Sequence, residues 1–397
     1  MSFKLHPTFL HPSYNSELPT QLLTPNSSIK QTILIDIVPP HKSLEEARLE
    51  LNELTRLVET YGGIVIKEIL QRRGRPSSKT YLGSGKAEEA ANRAKHHKVD
   101  MVIINDFIKP AQINNLSKLF SHDPNDITGK SDIPIWDRTD IILKIFEKHA
   151  KSQQAQLQIK LAQLKHQIPK VYHYQTSLFD KERGGISGTR GAGEKGVEQE
   201  KRHIRIQIKD IEKKLEQLKR THSNQRERRK KAGMKTVALV GYTNAGKSTL
   251  LKALTNKEVY IADELFATLD TKLGSLWLPD SENSYKGQKV LIADTIGFIQ
   301  NLPPHLIESF KATLAEVEEA DLILHIIDSS DPEQLMKIKV VEKILKELVD
   351  DEKAILRVYN KSDRQTFCIL AQKNEIGLSA LSKESLSELK MVIGKKV

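Results

Sequence analysis

Two glycine-rich stretches are candidates to hold a phosphate group. One is GGISGTRGAGE at residues 184–194, and the other is GYTNAGKST at residues 241–249. Glycine-rich loops can point successive backbone N–H groups at phosphate oxygens, above all where a strand precedes the loop and a helix follows it. One nucleotide does not need two such loops, so their surroundings must decide which one binds it.

The second stretch has the expected surroundings. It matches G-x-x-x-x-G-K-[ST], with the strand-like run KTVALVG before it and the helix-like run STLLKALTN after it. Gly246 lets the backbone bend around the phosphates, Lys247 supplies a positive charge toward the β- and γ-phosphates, and the Ser248 hydroxyl would coordinate Mg²⁺. The phosphate-binding residues predicted here are Gly241, Asn244, Ala245, Gly246, Lys247, Ser248 and Thr249.

Two motifs that follow would complete a Mg²⁺ site. The run VLIADTIG ends a predicted strand at Asp294, where a carboxylate would hold the metal's ligand shell, and the amide of Gly297 would face the γ-phosphate. The run LFATLDT offers a switch threonine that would close over the metal. The predicted Mg²⁺ ligands are Ser248, Thr268 and Asp294.

Two further motifs select the base. NKSD follows the predicted strand AILRVY, and a carboxylate at Asp363 can accept both N1–H and N2–H of guanine, a donor pair that adenine lacks. LSAL places a backbone amide where it could reach guanine O6. The motifs together predict GTP, with the base held by Asn360, Lys361, Asp363, Ser379 and Ala380.

The catalytic position departs from the Ras pattern. In Ras-like GTPases a glutamine after D-x-x-G orients the attacking water, and here that position is Phe298. Either Phe298 only packs and hydrolysis is slow, or the water is oriented from elsewhere, for instance by a partner. Both readings predict slow intrinsic hydrolysis that rises on docking, and we assign no catalytic residue.

The periodicity of the chain predicts how these motifs are carried. Strand and helix patterns alternate from about Thr32, and then two segments show the 3-4 apolar spacing of a coiled-coil seam, which favours an antiparallel hairpin. Pro169 is expected to end the first of these helices. The prediction is an α/β protein with a flexible leader at 1–30, a small parallel α/β subdomain at 31–140, the hairpin with a glycine-rich tip at 141–220, a basic linker at 221–234 and a P-loop GTPase domain of the Ras type at 235–397.

Apolar residues define the seam in both segments. The first helix would contribute Ala150, Leu157, Leu161, Leu164 and Ile168, and the second Val197, Ile204, Ile208, Ile211, Leu215 and Leu218. About 28 residues without clear periodicity would connect them. A connection of that length inside a domain tends to be functional or disordered.

Charge points to a polyanionic partner. The chain carries a formal net charge of +11, and residues 201–235 hold eight lysines and six arginines against four acids. So concentrated an excess favours nucleic acid over a merely solvated helix face.

There is one cysteine, Cys368, which suits a reducing compartment, and no apolar run approaches the length needed to span a bilayer. We therefore expect a cytoplasmic protein without a membrane anchor.

The first glycine-rich stretch then has a different role from the second. No strand precedes it, it lies between two predicted helices, and it lacks the Lys-Ser pair. A flexible linker is one reading. The other is a contact tip in which glycines permit close backbone approach and the basic helix behind supplies long-range attraction. The predicted RNA contacts are Arg183, Arg190, Lys201 and Arg202.

Together these motifs resemble GTPases of the HflX family, within the Obg-related group. The resemblance rests on GYTNAGKSTL, LFATLD, NKSD, the glycine-rich stretch followed by EKRHIRIQIKDIEKKLEQL, and above all the run from DTIGFIQNLPPHLIESFK to LILHIID. It implies a factor that binds the large ribosomal subunit and its RNA near the peptidyl transferase centre, and that splits or rescues stalled ribosomes. The tip departs from the family pattern, with Ala192 in place of proline and Lys195-Gly196 in place of Thr-Gln.

Two other functions stay open at this point. One is an RNA-binding or chaperone-like GTPase that acts in ribosome assembly without splitting activity. The other is a membrane-associated regulatory GTPase, which the absence of an apolar anchor disfavours. The expected ligands are GTP or GDP with Mg²⁺, and the expected state is a monomer.

Overall fold

The computed structural model describes residues 29–121, 133–182, 190–255, 265–266, 269–279, 287–303, 306, 309–350, 352–364 and 374–397, with the side chains of 172–197 and 311–313 excepted. The described part of the N-terminal region contains a sheet whose strands are all parallel, in the order β2-β1-β3-β4. These strands are β1 (Lys30–Val38), β2 (Gly63–Arg72), β3 (Met101–Ile104) and β4 (Ile135–Asp137). The predicted parallel sheet is confirmed.

Helices connect and flank these strands. They are α1 (Leu44–Tyr61), α2 (Ser84–His96), α3 (Pro110–Phe120) and α4 (Arg138–His149). A capping box closes the start of α1, because the Ser43 side chain accepts from the Glu46 amide while the Glu46 carboxylate accepts from the Ser43 amide. This cap fixes where α1 begins, and α1 later proves to border the nucleotide site.

Two long helices form the hairpin, α5 (Gln153–Glu182) and α6 (Arg190–Lys231). Because they pack along each other and only residues 183–189 connect them, they run antiparallel. Their interface contains most of the predicted seam, while Leu218 lies outside the apolar cluster and the side chain of Val197 is not described. The apolar cluster consists of Leu157, Leu161, Leu164, Ile168 and Val171 from α5 with Ile204, Ile208, Ile211 and Leu215 from α6.

Three details of the predicted hairpin are wrong. Ala150 is not a seam residue, since it caps α4 and separates it from α5. Pro169 does not end its helix, because α5 continues to Glu182 and Val171, beyond the proline, is still buried against α6. The free energy gained by burying the apolar face of α5 against α6 outweighs the loss of one backbone hydrogen bond at Pro169. Helix also occupies most of the predicted 28-residue connection and continues through residues 221–231, where the sequence predicts a linker.

The C-terminal region forms a second sheet, in the order β10-β9-β8-β5-β7-β6. All neighbouring pairs are parallel except β6 with β7. The strands are β5 (Lys235–Gly241), β6 (Lys272–Pro279), β7 (Gly287–Asp294), β8 (Leu322–Asp328), β9 (Ile355–Asn360) and β10 (Glu375–Gly377). The helices are α7 (Lys247–Thr255), α8 (Lys311–Glu318), α9 (Gln334–Leu348) and α10 (Lys383–Lys396), with a 3₁₀ turn at Ser362–Arg364.

One apolar core runs across both α/β units. The ring of Phe146, from α4, meets Phe266 and Phe310 edge-on, with ring centroids 4.5 and 5.2 Å apart. Leu54 of α1 and Val240 of β5 belong to the same buried cluster. The N-terminal unit is therefore docked on the face of the GTPase-like unit through hydrophobic burial, which is the largest favourable contribution to such contacts.

A buried ionic cluster fastens the hairpin to the N-terminal unit. His166 of α5 lies 3.2 Å from a carboxylate oxygen of Asp137 and 3.1 Å from one of Asp140, and the Lys170 ammonium lies 2.8 Å from Asp140. Burial disfavours the charged imidazole, but the two carboxylates outweigh it and raise the pKa of His166 to about 9. Asp137, Asp140 and His166 have the spacing of a metal site. Since Lys170 and the protonated His166 together balance the charges of the two carboxylates, we interpret the group as a structural ion cluster.

No helix in the described part of the chain combines the length and the apolar character that a bilayer-spanning segment needs.

Candidate nucleotide site

The candidate site forms where the parallel strands of the second sheet end. β5 ends at Gly241, β7 at Asp294 and β9 at Asn360, and parallel neighbours bring these carboxyl ends to one edge. Ligands of open parallel sheets bind at this edge. The phosphate, metal and base motifs, which lie up to about 140 residues apart in the sequence, are thereby brought together.

The loop between β5 and α7 has the backbone of a phosphate cradle. Gly246 has φ +90°, and a Cβ placed there would lie 2.2 Å from the Nδ2 of Asn360. Asn244 also has positive φ, at +62°. The position of Gly246 thus requires glycine for both its conformation and its contact, and the prediction that this glycine bends the loop has a geometric basis.

The lysine of the loop is buried and held by backbone oxygens. Lys247 Nζ donates to the carbonyls of Tyr242 (2.9 Å) and Gly241 (3.2 Å). Burial lowers the pKa of Lys247 to about 8, and the nearby carboxylate of Asp294 acts in the opposite direction. A buried ammonium with only one acidic neighbour among these contacts is well placed to receive the negative charge of a phosphate chain.

Two of the three predicted metal ligands meet. The Ser248 hydroxyl donates to Asp294 Oδ2 over 2.7 Å, and the Asp294 side chain is fully buried. Both are hard oxygen donors of the kind that Mg²⁺ prefers. A Cβ on Gly297 would lie 3.0 Å from the Lys247 ammonium, so this glycine leaves space beside the phosphate cradle. These observations fit the magnesium prediction, while Thr268 lies outside the described residues.

The base-binding motif is tied directly to the phosphate loop. Asn360 Nδ2 donates to the carbonyl of Ala245 (2.9 Å), and Asn360 Oδ1 accepts from the amide of Ala380 (3.1 Å). Asn360 therefore acts as a brace among three motifs, and the Ala380 amide is engaged within the protein. Asp363 is exposed and therefore accessible to a ligand, and Ser379 is buried.

Lys361 has a partner that the motif alone does not reveal. Its ammonium lies 2.7 Å from the carboxylate of Asp328, at the end of β8. Lys361 has φ +62°, so the turn into the 3₁₀ segment is conformationally demanding. The pair fixes the direction of the Lys361 side chain along one wall of the cleft.

Phe298 is part of the core. Its side chain is 1% exposed and lies in the cluster shared by both α/β units, while its backbone pairs with the loop: its amide donates to Gly241 O (3.1 Å) and its carbonyl accepts from the Thr243 amide (2.8 Å). Of the two readings of Phe298, packing is the one that its position supports. The side chain cannot orient water at the nucleotide.

Helix α1 borders the cleft, which the sequence did not indicate. A cleft of about 600 Å³ is lined by loop residues Tyr242 to Ala245, by Asp328 and Lys361, and by α1 residues that include Glu53 and Arg56. This volume lies in the range of small-molecule sites. No local signal could have placed α1 here, because it belongs to a different unit nearly 190 residues away from the loop.

Comparison with known proteins agrees with this geometry. Three family models match in order: one described as GTP-binding GTPase N-terminal at residues 48–147, one as GTP-binding GTPase Middle Region at 149–229, and one as 50S ribosome-binding GTPase at 236–361. The GTPase HflX of Caldanaerobacter subterraneus is 42% identical over 91% of this chain and 79% of its own length. The chain belongs to the HflX family of GTPases.

Other members of the family are similarly related. The HflX of Alkalihalophilus pseudofirmus is 40% identical over 88% of this chain and 78% of its own length, and that of Escherichia coli is 38% identical over 84% and 73%. The chain is thus a GTP-binding and GTP-hydrolysing P-loop enzyme with α/β, hairpin and GTPase regions, as the sequence predicted.

The predicted RNA contacts are less completely described. Arg183 lies outside the described residues, and Arg190 opens α6 with a side chain that is not described. Arg202 is exposed on α6, and Lys201 is half-buried. The hairpin thus presents one of the four predicted contacts, Arg202, openly to solvent within the described part of the chain.

Proposed function

We propose that this HflX-family GTPase binds the large ribosomal subunit through its hairpin and splits or rescues stalled ribosomes. The observation that carries the proposal is a 42-residue helix, α6, whose basic residues are exposed over much of its length. The match of residues 236–361 to a family described as 50S ribosome-binding supports the choice of partner. The lysines and arginines of a long cationic helix can bind the backbone phosphates of RNA through charge attraction, which does not depend on the base sequence.

Two groups of basic residues lie near the C-terminal end of α6. Arg226 lies 2.9 Å from Glu319 and Arg229 lies 2.8 Å from Glu316, so both arginines hold α6 against the GTPase unit. The exposed cations near them are Arg228, Lys230 and Lys231. An RNA-binding role belongs to the exposed group, and neutralising the paired arginines would instead loosen the docking of the hairpin.

The test is sedimentation with ribosomes and with isolated subunits in the presence of GDP, GTP or a non-hydrolysable analogue. Replacing Arg228, Lys230 and Lys231 with glutamine should weaken binding and reduce its salt dependence, by a log–log slope of about 0.7–0.9 for each phosphate that the variant no longer neutralises. The matched control replaces the three exposed lysines of α9, which removes the same charge from another helix: Lys339, Lys343 and Lys346. Equal weakening in both variants would reduce the role of α6 to net charge alone.

The splitting activity is tested separately. Purified ribosomes are incubated with the protein and GTP, and the subunit profile is recorded by light scattering or gradient centrifugation. Dissociation into subunits supports the proposal. Stable binding without dissociation would instead support the RNA-binding, assembly-related alternative.

We also propose Mg²⁺ as the cofactor, held by Ser248 and Asp294. The metal would neutralise charge between the β- and γ-phosphates. Ser248→Ala should lower GTP affinity in the presence of Mg²⁺ and have little effect in EDTA. A loss of equal size in both conditions would contradict metal ligation by the Ser248 hydroxyl.

Slow intrinsic turnover is a further part of the proposal. In Ras-like enzymes a glutamine at this position orients the attacking water. Here the position is occupied by Phe298, whose side chain is buried and offers no group that could orient water. Phosphate release should therefore be slow for the protein alone and faster with saturating large subunits. Equal rates in the two conditions would contradict stimulation by the ribosome.

A further inference from the structure

Helix α1 of the N-terminal unit contacts the GTPase unit at two points along one face. The hydroxyl of Tyr242, in the phosphate loop, donates to the Glu53 carboxylate over 2.6 Å. Two turns later, the Thr60 hydroxyl accepts from the amide of Leu265 over 3.3 Å. Leu265 precedes the predicted switch threonine by three positions, so α1 touches both the loop and the segment that leads to the switch.

Arg56 lies between these two contacts on the same face of α1. It follows Glu53 by three residues and precedes Thr60 by four, the spacings that put side chains on one face of a helix. Its side chain is exposed and lines the same cleft as Thr243 and Asn244 of the phosphate loop. The fold therefore carries a guanidinium from another unit to the edge of the phosphate site.

The other cations along this cleft are already engaged or lie elsewhere. Lys361 is paired with Asp328, and Lys337 is paired with Asp331 and Glu333. Arg364 directly follows Asp363 and so lies at the base end of the site. Among the residues that the structure describes, Arg56 makes no ion pair. It is an unpaired cation of the cleft lining, beside the phosphate loop.

We propose that Arg56 is a catalytic residue of GTP hydrolysis, an arginine supplied in cis by the N-terminal unit. GTPases gain rate when an arginine stabilises the charge that develops on the transferring phosphoryl group and the leaving oxygen. In the reaction water attacks the γ-phosphorus, the bond to the β–γ bridging oxygen breaks, and GDP and phosphate leave. Arg56 stabilises the charge that develops in that step. It does not take over the role of the water-orienting glutamine, whose position is occupied by Phe298.

The test compares single-turnover hydrolysis of bound GTP by the wild-type chain and by its Arg56 variants without ribosomes, so that its outcome does not depend on ribosome binding. Arg56→Ala should slow phosphate release by about 10- to 100-fold, the interval that separates GTPases with and without an arginine in cis. Its affinity for a fluorescent GTP analogue should stay within about twofold of the wild type, because the effect belongs to the transition state.

Two variants and one complex sharpen the result. Arg56→Lys should remain slow, since an ammonium does not reproduce the planar fork of the guanidinium. Arg48→Ala, an exposed arginine of α1 outside the cleft lining, should hydrolyse GTP at the wild-type rate. GDP with aluminium fluoride, which imitates the transferring phosphoryl group, should bind more weakly to Arg56→Ala than to the wild type.

The proposal has two clear contrary outcomes. Wild-type hydrolysis by Arg56→Ala would remove Arg56 from the reaction. A loss of GTP affinity as large as the loss of rate would make it a ground-state binding residue and not a catalytic one.

Discussion

The hydrogen bond between Tyr242 and Glu53 offers a direct measure of how strongly the N-terminal unit grips the phosphate loop. The Tyr242 hydroxyl donates to Glu53 (2.6 Å) and accepts from the Gln300 amide (2.7 Å). Glu53 also binds Arg138, whose guanidinium reaches the Gln300 carbonyl at 3.2 Å. Tyr242→Phe removes the hydroxyl and keeps the ring.

The expected loss follows from burial and charge. Tyr242 is 7% exposed, and the side chains of Glu53 and Arg138 are 13% and 6% exposed, so water cannot easily replace the missing hydroxyl. A hydrogen bond to a charged group contributes about 1.5–3 kcal/mol. Since Glu53 keeps its bond to Arg138, we expect Tyr242→Phe to lower the free energy of unfolding by about 2 kcal/mol. Burial and the Glu53 carboxylate both raise the pKa of Tyr242, so the hydroxyl keeps its proton at neutral pH.

A double-mutant cycle with Glu53→Gln isolates the contact. Urea unfolding is followed by circular dichroism and by the fluorescence of Trp136 and Trp277, one in each α/β unit, and coincident transitions justify a single free energy. The coupling energy should be about 1–2 kcal/mol.

The control cycle pairs Glu53→Gln with Tyr81→Phe. Tyr81 makes a comparable bond to Asp36, at 3.1 Å, wholly within the N-terminal unit. It should lower stability and add independently to Glu53→Gln. A coupling below about 0.5 kcal/mol between Tyr242 and Glu53 would refute a contact between the units in solution.

Four further outcomes are expected. Phe298→Gln should lower the free energy of unfolding by about 3 kcal/mol in urea titration, by putting an amide into the core, without faster phosphate release; acceleration would contradict the packing role. Asp363→Asn should shift affinity from guanosine toward xanthosine nucleotides, and unchanged binding of a fluorescent GTP analogue would exclude Asp363 from base recognition. Gly246→Ala should reduce GTP affinity by about 10-fold or more, because the strain at φ +90° and the clash with Asn360 together exceed about 1.4 kcal/mol; wild-type affinity would show that the loop relaxes. The raised pKa of His166, about 9, means that its charge stabilises the fold fully below its unfolded value of about 6.5 and progressively less as the pH rises through 9. His166→Gln should therefore flatten the melting temperature between pH 7 and 10, and an unchanged pH profile would rule out that contribution.

Local sequence was enough to predict most of the strands and helices and to locate the nucleotide motifs. The phosphate loop, Asp294 and Asn360 each follow a buried strand, and the structure places each at the end of that strand because alternating strands and helices leave few ways to form a parallel sheet. The seam of the hairpin was also legible, since apolar spacing is a direct consequence of helix geometry. Pro169 was misjudged because local propensity is a weak force beside the burial of a long helix face.

Contacts between distant units could not be read from the chain. The sequence did not distinguish the arginines of α6 that bind Glu316 and Glu319 from the exposed cations beside them. It also did not reveal the pairing of Lys361 with Asp328. Arg56 had no motif around it, and it became a candidate only when docking brought α1 beside the phosphate loop. A nucleotide-binding motif depends on the backbone geometry of a few consecutive residues, so it can be recognised in the sequence. The partner of a charged side chain instead depends on which surfaces the hydrophobic core brings together. The tertiary structure alone decides that arrangement.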